Sequence, residues 1–225
     1  MAILKNSKIK VSTPAFKAIK KIAKKDRILF YGRNDKICAR KISADVKNPK
    51  TVIQQANRRG FRRTQILASK LLKLVVHPIW DLYAKSLKHS LKKFSGYTMF
   101  ISINKQFITT DTTDYESLII SVGSVPKNAS ANVAIDGERY CISWKNQTTS
   151  SGYDNDIVKI IAFDEEFENV YHLPDEKVRR KDCKCFMLVP EDDKRIHFYI
   201  FFEGVDNGGK SMHKYSESVY VKQVF

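Results

Sequence analysis

The chain has 225 residues, of which 43% are hydrophobic and 11% aromatic, so it can build a packed core and is not globally disordered. No segment approaches the roughly 18 consecutive apolar residues of a membrane span. The opening Met1–Asn6 lacks the apolar stretch of a secretory signal. We therefore expect a protein made in the cytoplasm, with no membrane partner.

Charge divides the sequence into two parts. Residues 1–95 contain 25 Lys and Arg against 4 Asp and Glu, a balance of +21. Residues 96–225 contain 15 against 20, a balance of −5. Such asymmetry is typical of two modules with different partners, and it predicts that the basic part seeks polyanions or an acidic protein surface.

The basic part begins with a predicted β-hairpin. Arg27–Tyr31 and Lys36–Arg40 have the composition of strands, and Gly32–Asp35 between them supplies turn residues. The hairpin is rich in Lys and Arg, so we expect it to belong to the basic module.

Helices are predicted to follow. Asn48 and Pro49 are typical of an N-cap and a first helical residue, and an apolar period extends to about Val76. Gly60 costs about 1 kcal/mol inside such a helix, which indicates a weak point or a close contact there. Pro78 is predicted to start a second helix and Gly96 to end it, as a C′ residue. The apolar segment 97–103 fits either a strand or a helix.

From about residue 115 the hydrophobic period changes to two. Seven segments alternate in this way: 117–122, 132–135, 139–144, 156–163, 184–189, 195–203 and 218–224. Short strands at regular spacing favour a β-sandwich. The predicted fold is therefore α+β: a basic β-hairpin plus helices in residues 1–100, then an antiparallel immunoglobulin- or fibronectin-III-like β-sandwich in residues 112–225. Trp144 should lie in the sandwich core, opposite Phe198 or Ile200.

One segment imitates a nucleotide-binding motif. Gly204–Ser211 fits the G-x-x-x-x-G-K-S pattern of phosphate-binding loops. Such a loop needs a following helix, whose N-terminus holds the phosphates. Met212–Val221 has instead the pattern of a loop and a strand, and only 14 residues remain after Ser211. We therefore interpret the segment as a hairpin loop and expect no nucleotide partner.

No catalytic signature is present in the sequence. The five histidines have no metal-ligand spacing, and there is no G-x-S-x-G or Cys–His pattern. The four cysteines are too scattered for a disulfide framework, so we expect reduced thiols in or near a core. The sequence favours a protein that is not an enzyme and that uses no cofactor and no metal.

Four arginines crowd one and a half turns of the predicted first helix, and no Asp or Glu occurs between Asp45 and Asp81. Like charges four residues apart repel each other by a few tenths of a kcal/mol per pair, so an anionic partner would stabilise them. The pattern leaves nucleic-acid phosphates and an acidic protein surface as equal alternatives. The predicted polyanion or partner contact consists of Arg58, Arg59, Arg62, Arg63, Lys47, Lys50 and Lys70.

Short motifs resemble a family of uncharacterised proteins from Bacteroidota and their phages, a domain of unknown function. The motifs cover both halves of the chain: Met1–Asn6, Val46–Thr51, Gln54–Arg58, Phe61–Val75, Trp80, Ser95–Phe100 and Ser216–Val221. The glycine-rich segment that follows the opening in that family is replaced here by Lys8–Lys25. The resemblance implies a basic hairpin-and-helix part, an immunoglobulin-like part and no known catalysis.

These observations predict a structural or adaptor protein of a phage virion or a phage-like assembly. Its basic N-terminal half would be the anchor, and its β-sandwich would be the docking module. Its partners would be the other subunits of a protein particle, and a symmetric particle fits this role. The alternative is a sequence-nonspecific accessory protein that binds DNA or RNA through the basic half. The protein would then be cytoplasmic at synthesis and, in the first case, associated with a virion.

Overall fold

The computed structural model of the chain describes residues 2–4, 28–33, 36–41, 50–87, 94–127, 130–137, 139–146, 151–173, 177–189, 195–206 and 208–223. The chain divides into two compact units, Met1–Lys50 and Thr51–Phe225. The predicted boundary between residues 100 and 112 therefore falls inside the second unit, where helices and sheet belong together.

The first unit contains the predicted hairpin. Strand β2 covers Ile28–Arg33 and strand β3 covers Lys36–Lys41, each slightly longer than expected. A further strand, β1 at Ala2–Leu4, pairs with the other side of β3, so that the antiparallel order is β1-β3-β2. The sequence did not indicate β1, because three residues are too few to show an alternating pattern.

Helix α1 covers Val52–Lys70 and begins later than predicted. Its N-cap is Thr51, whose hydroxyl oxygen accepts a hydrogen bond from the Gln54 amide at 3.3 Å, and not Asn48, which lies outside the described residues. Gly60 makes the close contact that the sequence indicated, since a Cβ there would lie 2.9 Å from the Ile108 carbonyl oxygen.

The chain after α1 does not start a new helix at Pro78. Leu72–Trp80 forms a π-helical segment that contains Pro78, and α2 follows directly at Asp81–Ser86. The wide π turn accommodates proline, which has no backbone N–H to donate. The prediction for Gly96 was also wrong: it is the first residue of α3, Gly96–Asn104, with Ser95 as N-cap.

Eight strands of the second unit form one curled, mostly antiparallel sheet with the shape of a half-barrel. The strands are β4 Ala131–Asp136, β5 Arg139–Trp144, β6 Ile157–Asp164, β7 Val170–His172, β8 Lys184–Met187, β9 Ile196–Val205, β10 Ser211–Tyr215 and β11 Val219–Gln223. The path is β7-β6-β9-β11-β4-β5-β8, with β10 also on β9. Among the described strand pairs, only β11–β4 is parallel.

The predicted immunoglobulin-like sandwich is not confirmed, because the described strands of this unit belong to one sheet. Strand β9 explains the difference, since it is buried along its whole length. Phe198, Ile200 and Phe202 face the interior of the curl, whereas Tyr199 and Phe201 face the helices. No second sheet is needed to bury the two faces of this sheet, because the helices cover one face and the curl of the sheet encloses the other. The architecture is mixed α and β.

Trp144 lies in the core inside the curl, as predicted. Its ring packs edge-on against Phe202, with centroids 6.4 Å apart, one alternating position beyond the expected Phe198 or Ile200. The predicted strand at 117–122 was wrong, since no strand forms there. Its amides bond irregularly instead: Ile120 N–H donates to the Ser218 hydroxyl at 2.9 Å.

The four cysteines carry free thiols, as expected. Cys38 and Cys185 are buried, and Cys141 and Cys183 are half-buried. Burial raises the pKa of Cys185 to about 12, which keeps this thiol protonated and unreactive at neutral pH. Among the described residues, no helix is both long and apolar enough to cross a membrane.

Candidate functional site: the basic face of helix α1

Helix α1 has a buried face and an opposite, exposed face. The buried residues Gly60, Thr64, Leu67 and Ala68 recur every three or four positions and point into the core between helices and sheet. This stripe fixes the rotation of the helix, and rotation decides which of its cations can meet a partner. At about 100° per residue, the opposite side of the helix is the side that carries Arg58, Arg59 and Arg62.

Arg58, Arg59 and Arg62 are exposed, as the prediction of a contact surface requires. They occupy positions i, i+1 and i+4, so their guanidinium groups share one side of the helix. The helix carries no acidic residue that could neutralise them. We call these three residues the arginine face; it is a concentrated positive surface on a rigid element.

Arg63 and Lys70 serve another purpose. The Arg63 guanidinium donates to the Thr109 carbonyl at 3.1 Å and to the Glu165 carbonyl at 3.3 Å, and it lies 5.5 Å from the centre of the Phe167 ring. The Lys70 ammonium donates to the Glu168 carbonyl at 2.9 Å. The structure therefore separates these two cations from the arginine face, because they tie α1 to the turn after β6.

The remaining predicted contact residues belong to the first unit. Lys50 is exposed. Lys47 lies outside the described residues. The structure thus brings three of the seven predicted residues together on one exposed surface of the second unit.

A cleft of about 580 Å³ lies between α1 and the segment 105–110, on the flank of the helix that carries Gly60 and Phe61, and the residues that line it do not include the three arginines. Phe61 lines it and is 44% exposed, a large fraction for an aromatic ring on a docked helix. Polar residues complete the lining on both sides: Asn57 on α1, and Lys105, Gln106, Thr109 and Thr110 on the facing segment. Sequence reasoning missed this cleft, because its two walls lie about 50 residues apart.

A buried carboxylate on β9 is a second feature that the sequence did not indicate. One oxygen of Glu203 accepts hydrogen bonds from the Ser211 hydroxyl and, at 3.2 Å, from the Tyr215 hydroxyl. The other oxygen lies 3.3 Å from the Lys159 ammonium. His213, on strand β10, lines the cleft that opens beside this carboxylate and has a positive φ of 52°.

Three donors satisfy the Glu203 carboxylate, so the group serves to join strands β6, β9 and β10. Burial and the adjacent carboxylate raise the pKa of Tyr215, which keeps its hydroxyl a donor. A cleft of about 370 Å³ opens from this cluster towards the π-helical segment. Within the described residues, no three His, Cys, Asp or Glu side chains are placed to hold a metal ion.

The loop that imitates a phosphate-binding motif is a turn between antiparallel strands β9 and β10, as predicted. Its backbone amides already have an acceptor within the loop. The Gly208 and Lys210 N–H groups donate to the Asp206 carboxylate, at 3.0 Å and 2.8 Å. A carboxylate in this position would repel a phosphate.

Comparison with known protein families, with characterised proteins and with solved structures finds no match for this chain. The function of the protein must therefore be inferred from its own surface, above all from the exposed arginines of α1.

Proposed function

We propose that the protein is a non-enzymatic structural or adaptor protein that contacts an anionic partner through the arginine face. The observation that carries this proposal is the exposure of Arg58, Arg59 and Arg62 on one side of a helix that has no acidic residue. Three cations on one side of a helix form a positive surface that attracts polyanions and acidic protein surfaces.

The support beneath this surface is rigid. Leu67, Ala68 and Leu71 are fully buried on the opposite side of α1. Arg63 donates to the Thr109 carbonyl and, like Lys70, to a backbone oxygen of the turn after β6. A helix fixed in this way loses little conformational entropy on binding, which leaves more of the electrostatic attraction as net affinity.

The setting that we propose is a phage virion or a related assembly. The charge split between residues 1–95 and 96–225 supports an anchoring part and a docking part. The resemblance to the Bacteroidota and phage proteins supports the same setting. In this proposal the curled sheet has the docking role that immunoglobulin-like domains have elsewhere, and the protein moves from the cytoplasm into the particle.

The arginine face also favours a second candidate, a sequence-nonspecific accessory protein that binds nucleic acid. Arginine recognises phosphate and carboxylate groups equally well. Native purification separates the two candidates. Recovery in a multi-protein particle supports the structural role, whereas a monomer that retains only nucleic acid supports the accessory role.

Replacing the arginine face by glutamine, in Arg58→Gln/Arg59→Gln/Arg62→Gln, is expected to weaken binding to polyanions steeply. Each neutralised phosphate releases counterions, so the slope of log affinity against log salt should decrease in magnitude by about 2 to 3. The measurement is fluorescence anisotropy with labelled oligonucleotides, and with labelled polyglutamate as an anion without bases, from low to high salt.

The matched control removes three exposed lysines on or next to strands β5 and β8, in Lys145→Gln/Lys181→Gln/Lys184→Gln, and so gives the same net charge. It should bind as the wild type does. Equal losses in the two variants would reduce the effect to net charge. Unchanged binding and unchanged native assembly in the arginine variant would overturn the proposal and leave a solvated helix face.

A further inference from the structure

An aromatic ring lies at the border of the arginine face. Phe61 lies three residues after Arg58, so these two side chains are neighbours on the helix surface, and Arg62 lies about 100° further round the helix. Phe61 is 44% exposed, although the core is only one residue away at Gly60. An exposed ring at the edge of this positive surface provides an apolar stacking surface near charges that attract phosphate.

The cleft next to this ring has the size and the chemistry of a nucleotide site. Its volume of about 580 Å³ falls in the range of about 300–1,000 Å³ that is typical of small-ligand pockets. The Asn57 and Gln106 amides each offer a donor and an acceptor, which suits the edge of a base. The Lys105 ammonium adds a further cation at the opposite wall.

The walls of the cleft are fixed to one another. The Thr110 hydroxyl donates to the Ala56 carbonyl at 2.8 Å, and Arg63 holds the Thr109 carbonyl. Gly60 allows the Ile108 carbonyl to approach the helix where any side chain would intrude. The ring of Phe61 therefore faces a preformed space and is not simply the exposed end of a loose helix.

We propose that the anionic partner of the arginine face is single-stranded nucleic acid, with a base stacked on Phe61 at the edge of this cleft and the strand continuing round α1, so that its phosphates reach the arginine face. The inference rests on the proposed function and names its ligand. A single strand fits better than a duplex, whose bases are already stacked on each other. It also fits better than an acidic peptide, whose carboxylates would leave the exposed ring unused.

The test replaces Phe61→Leu, which keeps an apolar helix former but removes the ring. Anisotropy with a labelled oligothymidylate should show about tenfold or greater loss of affinity, because stacking on an aromatic side chain contributes on this scale. The salt slope should stay at the wild-type value, since no cation is removed. Phe61→Tyr should bind as the wild type does.

Phe186→Leu is the matched control, since Phe186 is 45% exposed on strand β8 of the sheet. It should leave binding unchanged, and circular dichroism should show native helix content in every variant. Phe61→Trp adds a direct readout, because a stacked base quenches indole fluorescence and both native tryptophans are buried.

Wild-type affinity for the oligonucleotide in Phe61→Leu would overturn this inference. If the arginine variant then still loses binding, the proposed function stands and only the stacking site fails. If neither variant changes binding, both proposals fail. Tighter binding to polyglutamate than to the oligonucleotide would identify an acidic protein as the partner and would also overturn the inference.

Discussion

Replacing Asp156 by asparagine is expected to destabilise the second unit by about 3–5 kcal/mol, the range for breaking a buried ion pair at one partner. Asp156 and Arg180 are both almost fully buried, and the guanidinium donates to the carboxylate at 3.1 Å. Asparagine keeps the shape of the side chain but removes its charge. The variant would therefore leave a buried cation without its counter-charge.

The surroundings of Arg180 explain why the loss would spread. Its guanidinium lies 3.9 Å from the centre of the Phe202 ring, and its backbone carbonyl accepts the Trp144 indole N–H at 2.8 Å. Burial raises the pKa of Asp156 and lowers the pKa of Arg180, and each partner opposes the shift of the other. Each of the two groups therefore depends on the other to remain charged in the core. Through its contacts with Trp144 and Phe202, the pair connects strands β5, β6 and β9.

Urea unfolding at neutral pH measures this effect. Lys127→Gln is the control, because it breaks an ion pair with Glu217 in which both side chains are 54% exposed, and such pairs contribute about 0–1 kcal/mol. The double variant Asp156→Leu/Arg180→Met should recover much of the loss, since it buries no charge. A loss below about 1 kcal/mol in Asp156→Asn would contradict the assignment of a buried ion pair.

How much of this fold the sequence predicts depends on how local each signal is. Strand β5 matches its predicted range, because alternation along six residues is a local pattern. Gly96 shows the opposite case. A Cβ there would overlap the backbone of Asp81, and the Gly96 N–H donates to the Asp81 carboxylate at 2.8 Å. Glycine is needed for this approach across 15 residues, which a C′ interpretation could not anticipate.

The arginine cluster shows the same limit within the candidate site. Spacing alone predicts that four arginines share a turn and a half of helix. It does not tell which of them the fold uses, because the acceptors of Arg63 at Thr109 and Glu165 are 46 and 102 residues away. The position of Phe61 at the edge of a cleft could not be predicted for the same reason, since the other wall of that cleft comes from segment 105–110.

Stability is expected to decrease by up to about 3 kcal/mol between pH 6.5 and pH 4 through a single histidine, His197. Its ring is buried and stacked on Tyr115 with centroids 3.5 Å apart, and Nδ1 bonds the Tyr220 hydroxyl at 2.9 Å. Burial lowers the pKa of His197 to about 4, and Arg195 adds to this effect. The Glu165 carboxylate lies 3.9 Å from Nε2 but is half exposed, and it does not offset burial.

The direction of the change follows from the two states. The unfolded chain binds a proton at His197 below about pH 6.5, whereas the folded chain binds it only near pH 4. The stabilisation is therefore complete above pH 6.5, decreases as the pH falls, and is lost once the folded state is protonated as well. Acidic residues also titrate in this range, so the contribution of His197 must be read as a difference between variants.

Urea unfolding of the wild type and of His197→Phe, at pH 7.5 and at pH 4.5, isolates that difference. Phenylalanine keeps a ring on Tyr115 but cannot take up a proton, so the variant should lose less stability on acidification than the wild type, by about 2–3 kcal/mol. The same comparison is repeated for Tyr220→Phe against Tyr220→Phe/His197→Phe, so that the hydrogen bond between His197 and the Tyr220 hydroxyl is absent from both members of the pair. His172→Gln is the control, because His172 is exposed and should leave the wild-type pH dependence intact. Equal acid sensitivity of His197→Phe and the wild type would show that this histidine is not held neutral by its burial.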